Sequence, residues 1–597
     1  AMYDVIFDGP FLSYAGSHFY FQNGTQRFER VGTGGISIFS ESGSYFNDMV
    51  ISVDDWVGLS SNIEIRGDLL IEDGMFKTLG YDVYIKGNWY NNSGFNHGNS
   101  RVIFNGTGIQ EVTGTNFWEL ELNKSLGELR VHESTVSVQH YDWTQGTVRV
   151  NGGWFQLNDL EDAGIYGTVI VTSGQLDLHQ EPDEYLDLNG NLQISGGEMN
   201  IYGGNGDSYW PFSANASFTM SDGVLDFKTN GLRIHNSASW TLNETITGGT
   251  VKIFGDLTVA RTDFNPSGGT FYFYGYTEDT TLSVATGSNL FNLELDKSSK
   301  GAKAQVKTLT ASGTLDLNGD FILTGGNFEA PAKMYVGGNF NNTQTHWHFD
   351  ELTGEVVLDG SVDQEFNQEE TFYKLTINKP GTGAVTVAND VTFTVLNTLL
   401  VDKGDMIFEP GSTLLLDGNF DVNYLGNIYF YGEAGNEITV TSASKSSYGF
   451  DVSAGGFISA NNAIFNNMDV DGIYLHSGCY VDDENAFHGC TFAAGAPGGT
   501  LITWDNGADV VVHNAVFPSN STGCTFNVKK TNNNGHVFFD LATGPFSGAA
   551  FESDPFSRID WEYVAPLSLP FTENWNSSSF STQNWVPEGS NWIISGA

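Results

Sequence analysis

Phe372-Tyr-Lys-Leu-Thr-Ile-Asn-Lys379 is one of three copies of a line that decides the fold. The others are Phe117-Trp-Glu-Leu-Glu-Leu-Asn-Lys124 and Leu290-Phe-Asn-Leu-Glu-Leu-Asp-Lys297. The closing lysines stand 173 and 82 residues apart (297 − 124 and 379 − 297), near two periods and one of about 83. A degenerate relative, Tyr45-Phe-Asn-Asp-Met-Val-Ile-Ser-Val53, lies one such period before the first copy. Each clear copy follows an apolar strand ending in a glycine turn: Val102-Ile-Phe-Asn-Gly106, Phe271-Tyr-Phe-Tyr-Gly275 and Val356-Val-Leu-Asp-Gly360. Between residues 170 and 250 only a worn copy is found. Within the line, Trp118, Leu120 and Leu122 alternate with Glu119 and Glu121, as do Phe291, Leu293 and Leu295 or Tyr373, Leu375 and Ile377 with their polar neighbours. Period two with one apolar face is a half-buried strand. The closing Asn-Lys or Asp-Lys reads as the start of a corner, where Asn and Asp tolerate left-handed backbone.

A shorter period is nested inside the longer one. Gly followed by Asp or Asn and an apolar residue occurs at Gly67-Asp68-Leu69 and Gly87-Asn88-Trp89, and again at Gly319-Asp320-Phe321 and Gly338-Asn339-Phe340. Steps of 20 and 19 residues fit one coil of a β-solenoid, so each module is about four coils. The reading is all-β, a right-handed parallel β-helix. About 25 coils stacked at roughly 4.8 Å would make a rod on the order of 120 Å long. A string of sandwiches would show turns every 8–12 residues without a nested coil repeat, and a propeller would need blades of roughly 40–50 residues. Three segments are expected. Residues 1–436 carry the modular repeats, and residues 437–564 a second β-helix segment with shorter coils. Residues 565–597 form a linker and the start of a β-sandwich or jelly-roll module, so the protein is expected to be longer than this chain.

Charge narrows the partners. Lys and Arg number 25 against 71 Asp and Glu, a formal net charge of −46. Such a surface repels nucleic acid and anionic membranes and attracts divalent cations. Three cysteines, Cys479, Cys490 and Cys524, make no disulfide framework, and no window reaches the apolar length of a transmembrane helix.

The recurring line with its Gly-Asn and Asp-Gly corners resembles the large surface β-helix proteins exported by type IX secretion. The 437–564 stretch resembles the β-helix segment common in them, and Pro570-Phe-Thr-Glu-Asn-Trp575 is similar to the start of their adhesion-type jelly-roll modules. The resemblance implies extracellular or cell-surface placement and a role in adhesion, matrix or filament formation.

Candidate chemistry is sparse. Asp316-Leu-Asn318-Gly-Asp320 places three oxygen-bearing side chains at alternate positions, and Asp187-Leu-Asn189-Gly-Asn191 repeats the form. Asp316, Asn318 and Asp320 are the candidate calcium ligands, and the same spacing also serves a plain Asn-Gly turn. No cofactor is required. His346 and His348 flank Trp347 and share a strand face, two ligands without a third. Cys490 and Cys524 sit in the same Gly-Cys-Thr-Phe frame and read as small inward residues of neighbouring coils. Carboxylates able to serve a glycosidase are Asp469 with Asp471, and Asp482, Asp483 and Glu484. A lyase acting on uronates is disfavoured, because no Arg occurs between Arg261 and Arg558. Exposed Trp and Tyr would offer sugar platforms, though alternation places most aromatics inward.

The expectation is a non-catalytic extracellular rod, adhesive and able to form filaments or matrix. Its partners are further copies of itself, other surface components or polysaccharide. The competing expectation is a polysaccharide-degrading enzyme, glycoside hydrolase or lyase, using the late coils.

Overall fold

The computed structural model describes residues 4–13, 15–158, 166–179, 190–203, 208–210, 217–229, 231–234, 243–299, 306–381, 383–444 and 446–561. A parallel β-solenoid of about 23 turns spans residues 5–560. Apart from single 3-10 turns at His346–His348 and Ala549–Phe551, the regular elements among the described residues are strands. None of them is a helix long and apolar enough to cross a membrane. Contacts divide the chain into two compact units, Ala1–Val362 and Asp363–Ala597.

In the first unit the expected coil step is met. Met49 stacks on Leu69 and Leu69 on Trp89, 20 residues each (69 − 49 and 89 − 69). A second inward column runs Phe155, Leu176, Met199, Leu225, Val251, Phe271, Leu293, Phe321 and Phe340, one residue from each coil. Every member is buried. Burying each such side chain contributes about 1.5–3 kcal/mol, and like stacks on like because successive coils repeat the same pattern. Aromatic stacking does the same work in the second unit, where Phe420 lies 4.3 Å from Phe450 and Phe492 5.2 Å from Phe517.

Coil length departs from expectation. Past residue 437 the coils are longer than those of the first unit, not shorter. Ile473 pairs with Ile502 and Thr500 with Phe526, steps of 29 and 26 residues (502 − 473 and 526 − 500). The short apolar triplets suggested tight coils, but the Asn- and Gly-rich connections between them are themselves long.

The recurring line is also built differently. Phe117, Leu290 and Phe372 are fully buried, while Trp118, Phe291 and Tyr373, the residues expected inward, are only half-buried. Two consecutive outward residues follow the first inward one, and in the third copy the ladder shifts register between Phe372 and Lys374. A corner therefore opens the line. At its other end, none of Asn123, Asp296 and Asn378 adopts left-handed backbone. The lysines that follow turn inward instead: Lys124, Lys297 and Lys379 are at most 2% exposed. Lys124 Nζ donates to the carbonyls of Gly106 and Gly108 at 2.6 and 2.9 Å and to Gln110 Oε1 at 2.7 Å. It satisfies carbonyls that the Gly106 turn would otherwise bury unpaired. Burial brings the Lys124 ammonium down to about 8.

Candidate functional site

The Gly-Asp/Asn-apolar motif is a coil-to-coil clamp. Asp48 Oδ1 accepts from the Asp68 amide at 2.9 Å, Asp68 Oδ1 from the Asn88 amide at 2.7 Å, and Asn88 Oδ1 from the Glu111 amide at 2.7 Å. The second run is equivalent: Asn292 Oδ1 accepts from the Asp320 amide at 2.8 Å, and Asp320 Oδ1 from the Asn339 amide at 2.6 Å. Each side-chain oxygen satisfies a backbone N–H that the parallel ladder leaves unpaired at the corner.

This bears on the calcium candidates. Asp320 spends Oδ1 on Asn339, which also donates through its side-chain amide at 3.2 Å. Burial raises the Asp316 carboxyl, the direction of a carboxylate without compensating donors. What is left falls short of the six to eight oxygens calcium takes, and the local geometry fits the turn. Asp187 and Asn189 lie outside the described residues.

A face missed in sequence lies on the coils from residue 148 to 296, the slot assigned only a worn repeat. Each coil here carries a Gly corner followed by alternating residues: Gly153-Trp-Phe-Gln-Leu157, Gly174-Gln-Leu-Asp-Leu178, Gly197-Glu-Met-Asn-Ile201, Gly223-Val-Leu-Asp-Phe227. Stacking these corners demands glycine. At Gly174 φ is +77°, and a Cβ would lie 2.2 Å from the Gly153 carbonyl oxygen. Outward of the core, Gln156, Asp177, Asn200, Asp226, Lys252 and Tyr272 form one column. Asp177, Asn200 and Asp226 are no more than 2% exposed. Their donors are at hand. Asp177 accepts from Trp154 Nε1 at 2.8 Å, Gln175 Nε2 at 2.9 Å and Asn200 Nδ2 at 2.8 Å. Asp226 accepts from Lys228 Nζ at 2.6 Å and the Tyr274 hydroxyl at 2.7 Å. Beside them His179 stacks flat on Tyr202, 4.4 Å between centroids. The repeated Gly-x-apolar-x-apolar string was the available signal.

In the second unit the carboxylates are arranged otherwise. Asp421 stacks on Asp451, and Asp451 on Tyr474. Gly449, with no side chain, leaves a hollow toward which Asp469 Oδ2, Asn419 Oδ1 and Asp451 Oδ2 converge, 3.2, 3.5 and 4.0 Å from where its Cβ would stand. Asp451 Oδ1 meets His476 Nε2 at 2.7 Å, and the His476 ring stacks on Tyr474 at 3.9 Å. Burial raises the Asp421 and Asp469 carboxyls, and the neighbouring Asp451 adds to both. Asp471 is exposed, its amide donating to Asp469 Oδ1 at 3.0 Å. The other acidic candidate is a corner. Burial opposes ionisation of Asp482, but hydrogen bonds from Ser459, Asn485 and the Glu484 amide hold its pKa below the usual range.

The remaining candidates are structural. His346, Trp347 and His348 form a 3-10 turn rather than a strand, with Trp347 exposed and His348 Nδ1 2.7 Å from Asn327 Oδ1. Cys490 and Cys524 are buried free thiols as expected, but in different columns. Cys490 precedes the Thr491–Val516 bridge, whereas Cys524 Sγ faces Gly495 near the Thr500–Phe526 pairing. Burial pushes the Cys490 thiol up to about 12, leaving it unreactive at neutral pH. Among the described residues no three His, Cys, Asp or Glu side chains are grouped as metal ligands. Comparison with protein-family models, with curated proteins and with solved structures finds no match for this chain.

Proposed function

We propose that this chain is an extracellular or cell-surface structural and adhesive solenoid without catalytic activity, of the kind exported by type IX secretion. The observation that carries this reading is the use made of its acidic side chains. Asp48, Asp68, Asp177, Asp226 and Asp320 each accept hydrogen bonds that fix one coil to the next or hold the outward face together. A carboxylate tied up by two or three donors holds an ionised, fixed geometry, which suits a scaffold and works against a general acid. The net charge of −46 keeps the surface hydrated and unattractive to polyanions. Its partners are further copies of itself, other surface components and polysaccharide. Calcium enters as a bridge between anionic surfaces rather than as a ligand of the Asp316–Asp320 corner. The test is negative-stain microscopy of the purified chain in calcium and in chelator, with surface labelling of the source cells. Association strengthened by calcium and labelling of intact cells are expected. Isolated particles in both conditions together with unlabelled cells would refute the reading.

One observation favours a second reading, a glycoside hydrolase in the second unit. Asp451 Oδ2 and Asp469 Oδ2 flank one hollow, no more than 3.2 + 4.0 Å apart, within the span that paired glycosidase carboxyls use. The raised Asp469 pKa suits an acid. Reducing-sugar release from neutral polysaccharides, abolished in both Asp451→Asn and Asp469→Asn, would establish it.

A further inference from the structure

The outward face of the first unit has one open groove, and its composition differs from the acidic corners elsewhere. A cavity of about 390 Å³ lies over Gly153 and Gly174, walled by Trp154, Gln175, Glu198 and Glu133. The glycines are there because stacking requires them: a Cβ at Gly153 would come 2.5 Å from the Ser134 carbonyl oxygen, and one at Gly174 2.2 Å from that of Gly153. Their lack of side chains makes the floor bare backbone. Trp154 is 38% exposed although it belongs to a regular strand. Its indole N–H is anchored on Asp177 Oδ2 at 2.8 Å, and Asp177 is itself held by Gln175 and Asn200. An exposed tryptophan fixed by a buried carboxylate is a pre-organised platform, with little rotamer entropy left to lose on binding.

We infer that this groove binds a neutral pyranose chain, with the Trp154 ring as the stacking surface. A sugar presents an apolar C–H face to an aromatic ring and hydroxyl donors at its edge. The rim supplies acceptors for those donors: Glu198 is only partly engaged by Lys228 at 3.2 Å, and Glu133 is largely exposed. Two rim carboxylates on a chain of net charge −46 repel uronates and sulfated glycans, which selects uncharged polysaccharide. The inference rests on the adhesive reading and names its ligand class and site.

Isothermal titration of the whole chain with cellohexaose, mannohexaose and chitohexaose, with tetragalacturonate as the anionic comparison, tests it. Binding of at least one neutral oligosaccharide is expected, weakened tenfold or more in Trp154→Ala and several-fold in Glu133→Gln. Glu133 is exposed, so its substitution leaves folding intact, and circular dichroism of Trp154→Ala checks that the solenoid persists. Neutral-glycan binding unchanged in both variants would overturn this site while leaving the adhesive reading standing. Binding of none of the neutral oligosaccharides, or preference for tetragalacturonate, would overturn the ligand class. Calcium-dependent association and surface labelling would then decide the adhesive reading separately.

Discussion

The polar face of coils 148–296 and the acidic hollow of the second unit are two ways of putting carboxylates on the outside of the same scaffold. In the first, Asp177 and Asp226 are surrounded by donors, among them an indole, amides, an ammonium and a phenol. In the second, Asp421, Asp451 and Asp469 neighbour one another, and burial with mutual repulsion raises two of the three. A repeating coil brings equivalent positions together whatever they carry. The next coil can therefore be a donor that binds the charge or a like charge that opposes it. Donor-matched columns contribute to stability; like-charged columns detract from it and are retained for another reason.

The largest effect that would break this comparison is at the corners. Gly174→Ala forces a side chain into left-handed backbone against a carbonyl 2.2 Å away and should cost about 3 kcal/mol. In the hollow, Gly449→Ala meets nothing nearer than 3.2 Å and should cost less than about 1 kcal/mol. Guanidinium unfolding followed by circular dichroism measures both. Equal losses would mean that corner stacking does not set the stability of the first unit.

Next in size is the buried column itself. Asp177→Ala leaves the Trp154 indole and the Gln175 and Asn200 amides without their acceptor and should destabilise by about 2–3 kcal/mol. The emission maximum of Trp154 should shift as its anchor is lost. A variant as stable as the parent would show that solvent replaces this carboxylate freely.

Glu244 sharpens the comparison because it lies in the first unit yet has the character of the second. It lines an enclosed cavity of about 100 Å³ with Phe264 and Pro266, and its Oε2 and Arg261 Nη1 are both buried without a hydrogen-bond partner. Arg261 Nη1 is 3.4 Å from Glu244 Oε1 and only partly offsets the burial that pushes this carboxyl up to about 7. A folded-state pKa above the unfolded one means that the folded chain holds its proton longer. The stabilisation is complete below about pH 4.5 and is lost as pH rises toward about 7, a swing on the order of 2 kcal/mol. Thermal unfolding between pH 4.5 and 7.5 should show this decline, flattened in Glu244→Gln. An unchanged slope in the variant would assign the decline to other groups.

The coil period was legible because backbone geometry imposes it. Gly-Asp68-Leu and Gly-Asn88-Trp stand 20 residues apart, since an Asx oxygen must reach the next coil's amide. What could not be read was direction at the corners. Trp118 and Phe117 are adjacent aromatics, and only the kink that puts two residues outward decides which is core. Lys124 was taken for a solvated corner because lysine is rarely buried. Nothing within the line itself reveals the Gly106 and Gly108 carbonyls that receive it from the preceding coil. The 148–296 face escaped for a different reason. Its coils diverge from the Phe-Tyr-x-Leu line and share only glycine and alternation, so a search keyed to that line passes over them. The hollow at Gly449 was half visible: Asp469 and Asp471 were named, but Asn419, Asp421 and Asp451 join Asp469 only through coil steps of about 30 residues.

The smallest effect probes the sign of the comparison most directly. Asp469 is partly exposed, so its raised pKa translates into a modest free energy after solvent screening. Asp469→Asn removes a charge that burial, Asp471 and Asp451 all disfavour, and should stabilise the second unit by about 0.5–1 kcal/mol near pH 7. A raised folded pKa places the gain above the ordinary carboxylate range. Below about pH 4 the parent is protonated in both states and the two proteins should unfold alike, diverging as pH climbs through the raised value. Asp177 and Asp469 then respond to removal of charge with opposite signs, which is the test of donor-matched against like-charged columns. Should Asp469→Asn destabilise at pH 7, this carboxylate is bound by donors after all, and the hollow belongs with the structural ladders of the first unit.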